Sequence, residues 1–124
     1  MKKILAIVLV MVLALVLVAC GEEPAPNNDK IKVVYIVNGT LGDKSFFDSG
    51  KEGFDMINKD FGDKVETKIV ELTYDKTKWE TGTKDVVAEG YDIVIAGTWD
   101  MKGYIEELAP QYPETKFWFF DESW

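Results

Sequence analysis

The stretch Ile31-Lys32-Val33-Val34-Tyr35-Ile36-Val37-Asn38-Gly39-Thr40-Leu41-Gly42-Asp43-Lys44-Ser45-Phe46-Phe47-Asp48 decides the fold. Ile31 to Val37 is rich in β-branched residues and nearly continuous in apolarity, which is how a strand buried on both faces of a parallel sheet reads. Asn38 to Lys44 is a loop with two glycines, and Ser45 opens a helix with Asp48 three residues on as its capping-box partner. Phe46, Gly50, Gly53, Phe54, Ile57 and Phe61 then recur at spacings of three and four, giving one apolar stripe. Gly50 and Gly53 on that stripe let the helix lie close to a sheet, and Gly62 ends it.

The same grammar repeats downstream. Val65 to Leu72 reads as a strand with partial alternation, and Thr77 with Glu80 forms a second capping-box signature. A helix follows with Trp79, Thr83, Val86 and Val87 on one face, ended by Gly90. Asp92-Ile93-Val94-Ile95-Ala96-Gly97 is the clearest buried strand. Asp100 is placed to cap a third helix with Tyr104, Ile105, Leu108 and Ala109 inward, Pro110 inside it and Tyr112-Pro113 closing it. Lys116 to Asp121 is a fourth strand. Strand and helix in alternation predict a parallel α/β sheet with right-handed crossovers and helices on both faces. Ligands bind such sheets at the carboxyl ends of the strands, here 38–45, 73–78, 97–101 and 121–124. Phe117 to Phe120 is apolar on both faces and only three residues follow Asp121. Residues 31–124 are therefore expected to be the first part of a larger lobe; a complete small flavodoxin-like domain is the alternative.

Composition excludes several chemistries. The chain has 124 residues, a net charge of −8, no Arg and no His. So acidic a chain cannot neutralise phosphates, so nucleic acid is not an expected partner. Without His there is no Ser-His-Asp triad, and one Cys provides neither a disulfide framework nor a Cys-rich metal site. No metal and no cofactor are expected. Gly39-Thr40-Leu41-Gly42 lacks both the Lys-Ser/Thr ending of a P-loop and the third Gly of a dinucleotide loop. The absence of Arg removes the best clamp for a phosphorylated ligand, which leaves an uncharged sugar-bearing or aromatic solute.

The first residues form an address. Met1-Lys2-Lys3 is positive, and Ile4 to Ala19 is an unbroken apolar run of 16 residues, closer to a signal-peptide core than to a spanning helix. Leu17-Val18-Ala19-Cys20-Gly21 resembles a bacterial lipobox, in which Cys20 is lipidated and becomes the mature N-terminus. The expected organisation is a signal peptide over 1–19, a lipidated Cys20 with a polar, Pro-containing tether to residue 30, and the α/β lobe over 31–124. Two or three acyl chains would hold the protein on the membrane from the extracytoplasmic side. The alternative is an uncleaved anchor helix with Cys20 an inert thiol.

Asp43, Lys44, Ser45, Phe46, Glu52 and Gly53 resemble the early signature of the basic membrane protein family, solute-binding lipoproteins of ABC importers that include purine nucleoside receptors. The stretch from Asp92 to Gly97, Leu108-Ala109-Pro110-Gln111-Tyr112-Pro113 and Lys116 to Asp121 is similar to the same family, and the likeness covers residues 31–124 in order. It implies a type I periplasmic-binding-protein-like fold, of which only the first part of lobe one is present, and an ABC permease as partner. It also implies that Phe46 stacks on a nucleoside base and that a carboxylate after the third strand, nearest Asp100, bonds ribose or base. Family members often carry Asp at the end of strand one, where Val37 and Asn38 stand here; Asn38 can substitute as a neutral donor and acceptor. Phe47 stands where the family has Asn.

The candidate ligand-binding residues are Asn38, Gly39, Asp43, Ser45, Phe46, Trp99 and Asp100. Each has a plain structural reading beside the functional one. Phe46 starts the apolar stripe and is core or ligand wall. Ser45 is first an N-cap, Asp43 fixes a turn or binds, and Asp100 caps a helix or binds. Trp99 lines a site or packs lobes, and Phe47 is a second packing contact or a second wall. Trp79 and Tyr74 read as core first. The functional expectation is a binder that closes on its solute and breaks no bond. Its rivals are a sensory lipoprotein feeding a signalling partner, an enzyme on a flavodoxin-like sheet, and a truncated product without function.

Overall fold

The computed structural model describes residues 30–121. The apolar run, Cys20, the tether before Lys30, and Glu122 and Trp124 at the last strand end lie outside the described residues. The elements run β1 (Ile31–Val37), α1 (Phe46–Phe61), β2 (Val65–Glu71), a 3-10 turn (Lys76–Lys78), α2 (Trp79–Ala88), β3 (Ile93–Gly97), a 3-10 turn (Trp99–Met101), α3 (Lys102–Leu108), a 3-10 turn (Ala109–Gln111) and β4 (Lys116–Phe120). Among the described residues no helix is long and apolar enough to cross a membrane.

The sheet is parallel in the order β2-β1-β3-β4. β1 is central, pairing Ile31 to Val65 through Val37 to Glu71 on one side and Val33 to Ile93 through Ile36 to Ala96 on the other. That position explains its sequence: Val33 to Val37 are all buried, so neither face has room for a polar residue. β2 is an edge strand with no residue fully buried, which is why its pattern only partly alternates. The chain moves one way from β1 to β2, then jumps back past β1 to β3. Right-handed crossovers then put α1 on one face and α2 and α3 on the other.

Each face has its own core. Val34, Ile36, Val94, Ala96 and Phe119 meet Trp79, Val86 and Val87 of α2 and Ile105 and Leu108 of α3. Val33, Tyr35, Val37 and Ile95 meet Phe47 and Phe54 of α1. Gly50 makes the α1 contact possible: a Cβ there would lie 2.7 Å from the Tyr35 ring and hydroxyl. Gly53, expected to do the same, is exposed with nothing near it, and Phe61 is 52% exposed. The buried stripe is therefore shorter than the sequence pattern, with Phe47 and Phe54 the buried residues of α1.

Both capping boxes are corrected. Ser45 occupies the N-cap position of α1 without a side-chain cap bond. Asp43 takes that role, accepting from the backbone N–H of Ser45, Phe47 and Asp48 at 3.0–3.1 Å. Asp48 reaches back to the N–H of Gly42 and Lys44. At the second site Asp75 caps, accepting from the backbone N–H and hydroxyl of Thr77, while Glu80 pairs with Lys84. In each case an Asp two residues ahead of the expected cap wins, since a carboxylate is the stronger acceptor and needs no rotor ordering. Asp100 is no cap either: it lies inside the 3-10 turn, and α3 begins after Met101 without a side-chain cap. Pro110 falls in the terminal 3-10 turn, which ends the helix earlier than expected.

Tyr35 carries a buried hydroxyl with no partner. Burial, with the Asp43 charge second, pushes its pKa from 10.0 up to about 12. Tyr35→Phe is expected to raise stability at neutral pH by about 1 kcal/mol, because it removes an unpaired buried polar atom and keeps the ring. A raised folded-state value favours the neutral form, so the associated stability is present below pH 10 and lost as pH rises toward 12. Urea unfolding at pH 7 and in that alkaline window checks both points: the Phe variant should start higher and lose less.

Candidate functional site

An open cavity of about 420 Å³ lies at the carboxyl edge of the sheet, lined by Asn38, Phe46, Phe47, Tyr74, Lys76, Trp79, Thr98, Trp99, Asp100 and Asp121. Its place follows from topology. β1 and β3 are neighbours whose following helices leave on opposite faces, and a crevice opens at that switch point. Every strand end contributes, and the volume falls within the range of about 300–1,000 Å³ usual for small-molecule sites.

Aromatic rings form half of the wall: Phe46, Phe47, Tyr74, Trp79 and Trp99. Phe47 is buried on the sheet and also lines the cavity, so both readings of it hold. Phe46 stacks on Phe120 at 5.3 Å between centroids and meets Phe47 edge-on at 5.5 Å, while still lining the cavity. It is packing and wall together, with one ring face against Phe120. Gly39 does not line the cavity, but a Cβ on it would lie 2.9 Å from Phe47 Cζ and Tyr74 Cε1. The glycine thus makes room for two wall rings.

The polar groups of the wall are Asn38, Lys76, Thr98, Asp100 and Asp121. Asn38 is 5% exposed; its Nδ2 donates to Thr98 Oγ1 at 2.8 Å, and its Oδ1 has no protein partner. A buried amide oxygen without a partner carries a desolvation cost that a hydrogen bond would relieve. Thr98 has φ 67° and ψ 135°, a conformation that a β-branched residue adopts only at a cost. Thr73 and Asp121, at the ends of β2 and β4, also have positive φ, 61° and 68°. Backbone strain thus gathers where three strands deliver their loops to one edge.

Of the expected residues, Asn38, Phe46, Trp99 and Asp100 line the cavity, whereas Gly39, Asp43 and Ser45 do not. Asp43 spends its carboxylate on the start of α1, and the Ser45 N–H bond foremost holds it below the ordinary carboxyl range. The two aspartates differ in place: Asp43 caps α1, whereas Asp100 caps nothing, lines the cavity and pairs with Lys76. Tyr74 was expected in the core; it is 62% exposed and lines the cavity. Trp79 is core as expected, 4% exposed, with its indole N–H donating to the Thr73 carbonyl at 2.8 Å, and it also reaches the cavity. Lys76, Thr98 and Asp121 were not singled out for binding. The run 73–78 at the end of β2 was the available signal for Tyr74 and Lys76.

Flat rings, a free amide and carboxylates can hold an uncharged aromatic or hydroxyl-bearing solute. Among the described residues no group of three or more His, Cys, Asp or Glu is gathered as a metal site would need. Sheet order and cavity together define an α/β lobe with an open site at the carboxyl edge of its sheet. The chain belongs to the Bmp family, described as ABC transporter substrate-binding protein PnrA-like, which matches residues 30–123. Its structure is similar to an ABC transporter solute-binding protein from Conexibacter woesei DSM 14684, at 24% identity and a TM-score of 0.60, over 70% of this chain and 28% of that one. It is also similar to ABC transporter solute-binding proteins from Aeropyrum pernix K1, at 26% identity and a TM-score of 0.64, over 75% of this chain and 25% of that one. The chain thus spans about a quarter of the length of those proteins. No curated protein sequence matches it.

Proposed function

We propose that this chain is part of a lipid-anchored, extracytoplasmic solute-binding protein of an ABC importer, and that its solute is a nucleoside. The observation that carries the reading is the cavity itself. It sets the Phe46 ring beside the buried amide of Asn38, whose Oδ1 has no partner, and the Asp100 carboxylate. A base can stack on the first and be read by the second, while sugar hydroxyls donate to the third. Membership of a substrate-binding family supports a small solute and a permease as partners. The ligand is bound and released unchanged.

Titration calorimetry with inosine, guanosine, adenosine and uridine, with glucose as control, tests the ligand. Saturable heat with a nucleoside, and its recovery intact, is the expected result; none with any nucleoside sinks the reading. For the anchor, Cys20→Ser is expected to shift the protein from the membrane fraction to the soluble one on cell fractionation. Retention on the membrane would instead favour an uncleaved N-terminal helix.

A further inference from the structure

We infer that Lys76 competes with ligand for the Asp100 carboxylate, so that a neutral, hydroxyl-bearing solute binds more tightly when this ion pair is screened or removed. The inference rests on the nucleoside reading above. Lys76 follows β2 and Asp100 follows β3, and the two are brought together only by the sheet order. The ammonium lies 3.3 and 3.2 Å from the two carboxylate oxygens of Asp100. It also sits 5.1 Å from the centroid of the Trp79 ring, another wall of the same cavity. Lys76 is the one cation among the described residues that line it.

An ammonium can only donate, and a sugar hydroxyl, which both donates and accepts, must donate when it bonds a carboxylate. Both need the same carboxylate lone pairs. With Lys76 bonded to both oxygens, a diol must displace it or accept poorer geometry. The lysine side chain is 67% exposed and that of Asp100 26% exposed, so the lysine is free to swing out while the carboxylate stays at the wall. An exposed pair of this kind is weak, and its loss should change affinity only about two- to fivefold. The direction is the informative part. Contacts to a neutral ligand carry no net charge for salt to screen, whereas the ion pair is screened. Affinity for a neutral nucleoside should therefore rise with ionic strength, opposite to the usual behaviour of a charged ligand on a charged site.

The test titrates inosine and inosine 5′-monophosphate into the chain and into Lys76→Met, at low and at high sodium chloride. The pair itself is followed without ligand, through the Lys76 Nζ resonance in the chain and in Asp100→Asn. The expected result is that salt and Lys76→Met each tighten inosine binding, that the variant no longer responds to salt, and that Asp100→Asn moves the Nζ resonance. An unmoved resonance overturns the inference with no ligand involved. Inosine binding that responds equally to salt in both chains overturns the competition and leaves the nucleoside reading standing. Tighter binding of the monophosphate that Lys76→Met abolishes makes Lys76 an anion receptor, which also overturns it. An intact pair with no inosine binding in either chain overturns the nucleoside reading and the competition with it.

Discussion

Phe46→Ala is expected to weaken nucleoside binding roughly ten- to hundredfold, the loss of one base-stacking platform. The ring is only partly buried and its neighbours Phe47, Phe120 and Tyr35 pack without it, so the fold should survive. Calorimetry reads the affinity, and circular dichroism with urea unfolding reads the fold. Phe46→Leu separates the two contributions of the side chain. It keeps apolar volume at the start of α1 and removes the flat face. A Leu variant that binds as well as the parent would show Phe46 to be packing alone and would remove it from the site.

Trp79→Ala is expected to cost about 3–5 kcal/mol of stability. The indole is 4% exposed in the core formed with Val86, Val87 and Leu72, and its N–H holds the Thr73 carbonyl at 2.8 Å. Small domains have about 5–15 kcal/mol in total, so this one change removes much of the margin. Trp79→Phe keeps most of the packing and loses the bond to Thr73, at about 1 kcal/mol. Urea unfolding followed by circular dichroism measures both. If the Ala variant unfolds at the same midpoint as the parent, the core on the α2 and α3 face does not hold the sheet as described.

These two residues show where sequence reading succeeded and where it could not. Phe46 reads as the start of the α1 stripe, core or ligand wall, and Trp79 reads as core first. The three-and-four spacing starts the α1 stripe at Phe46, but the structure buries its neighbour Phe47, about 100° around the helix, beside Phe54 and leaves Phe46 only partly buried. Tyr74 and Trp79 read alike as core, yet one is 62% exposed and the other 4%. The loop after β2 turns at Thr73, immediately before Tyr74, and the positive φ there is a property of the folded loop with no sequence mark. The caps failed for a related reason. Ser45-x-x-Asp48 and Thr77-x-x-Glu80 fit the capping pattern, but Asp43 takes the Phe47 and Asp48 N–H groups, and Asp75 caps the preceding 3-10 turn through the Thr77 N–H.

The sequence by itself determined the succession of elements, the parallel sheet and the edge that carries the cavity. Burial on two faces forces a continuous apolar run in β1 and β3, and crossover handedness then leaves little freedom of topology. It also determined, through the absence of His and Arg, which side chains these residues cannot bring to the site. Only the tertiary structure decided that Asn38 turns one side of its amide to Thr98 and leaves the other without a partner. The same holds for Asp43 being consumed by its helix and for Lys76 meeting Asp100 across 24 positions. The reason is one of range. Patterning is set by local periodicity and solvent, whereas the pairing of polar groups at a site depends on distances between strand ends that exist only once the sheet has formed.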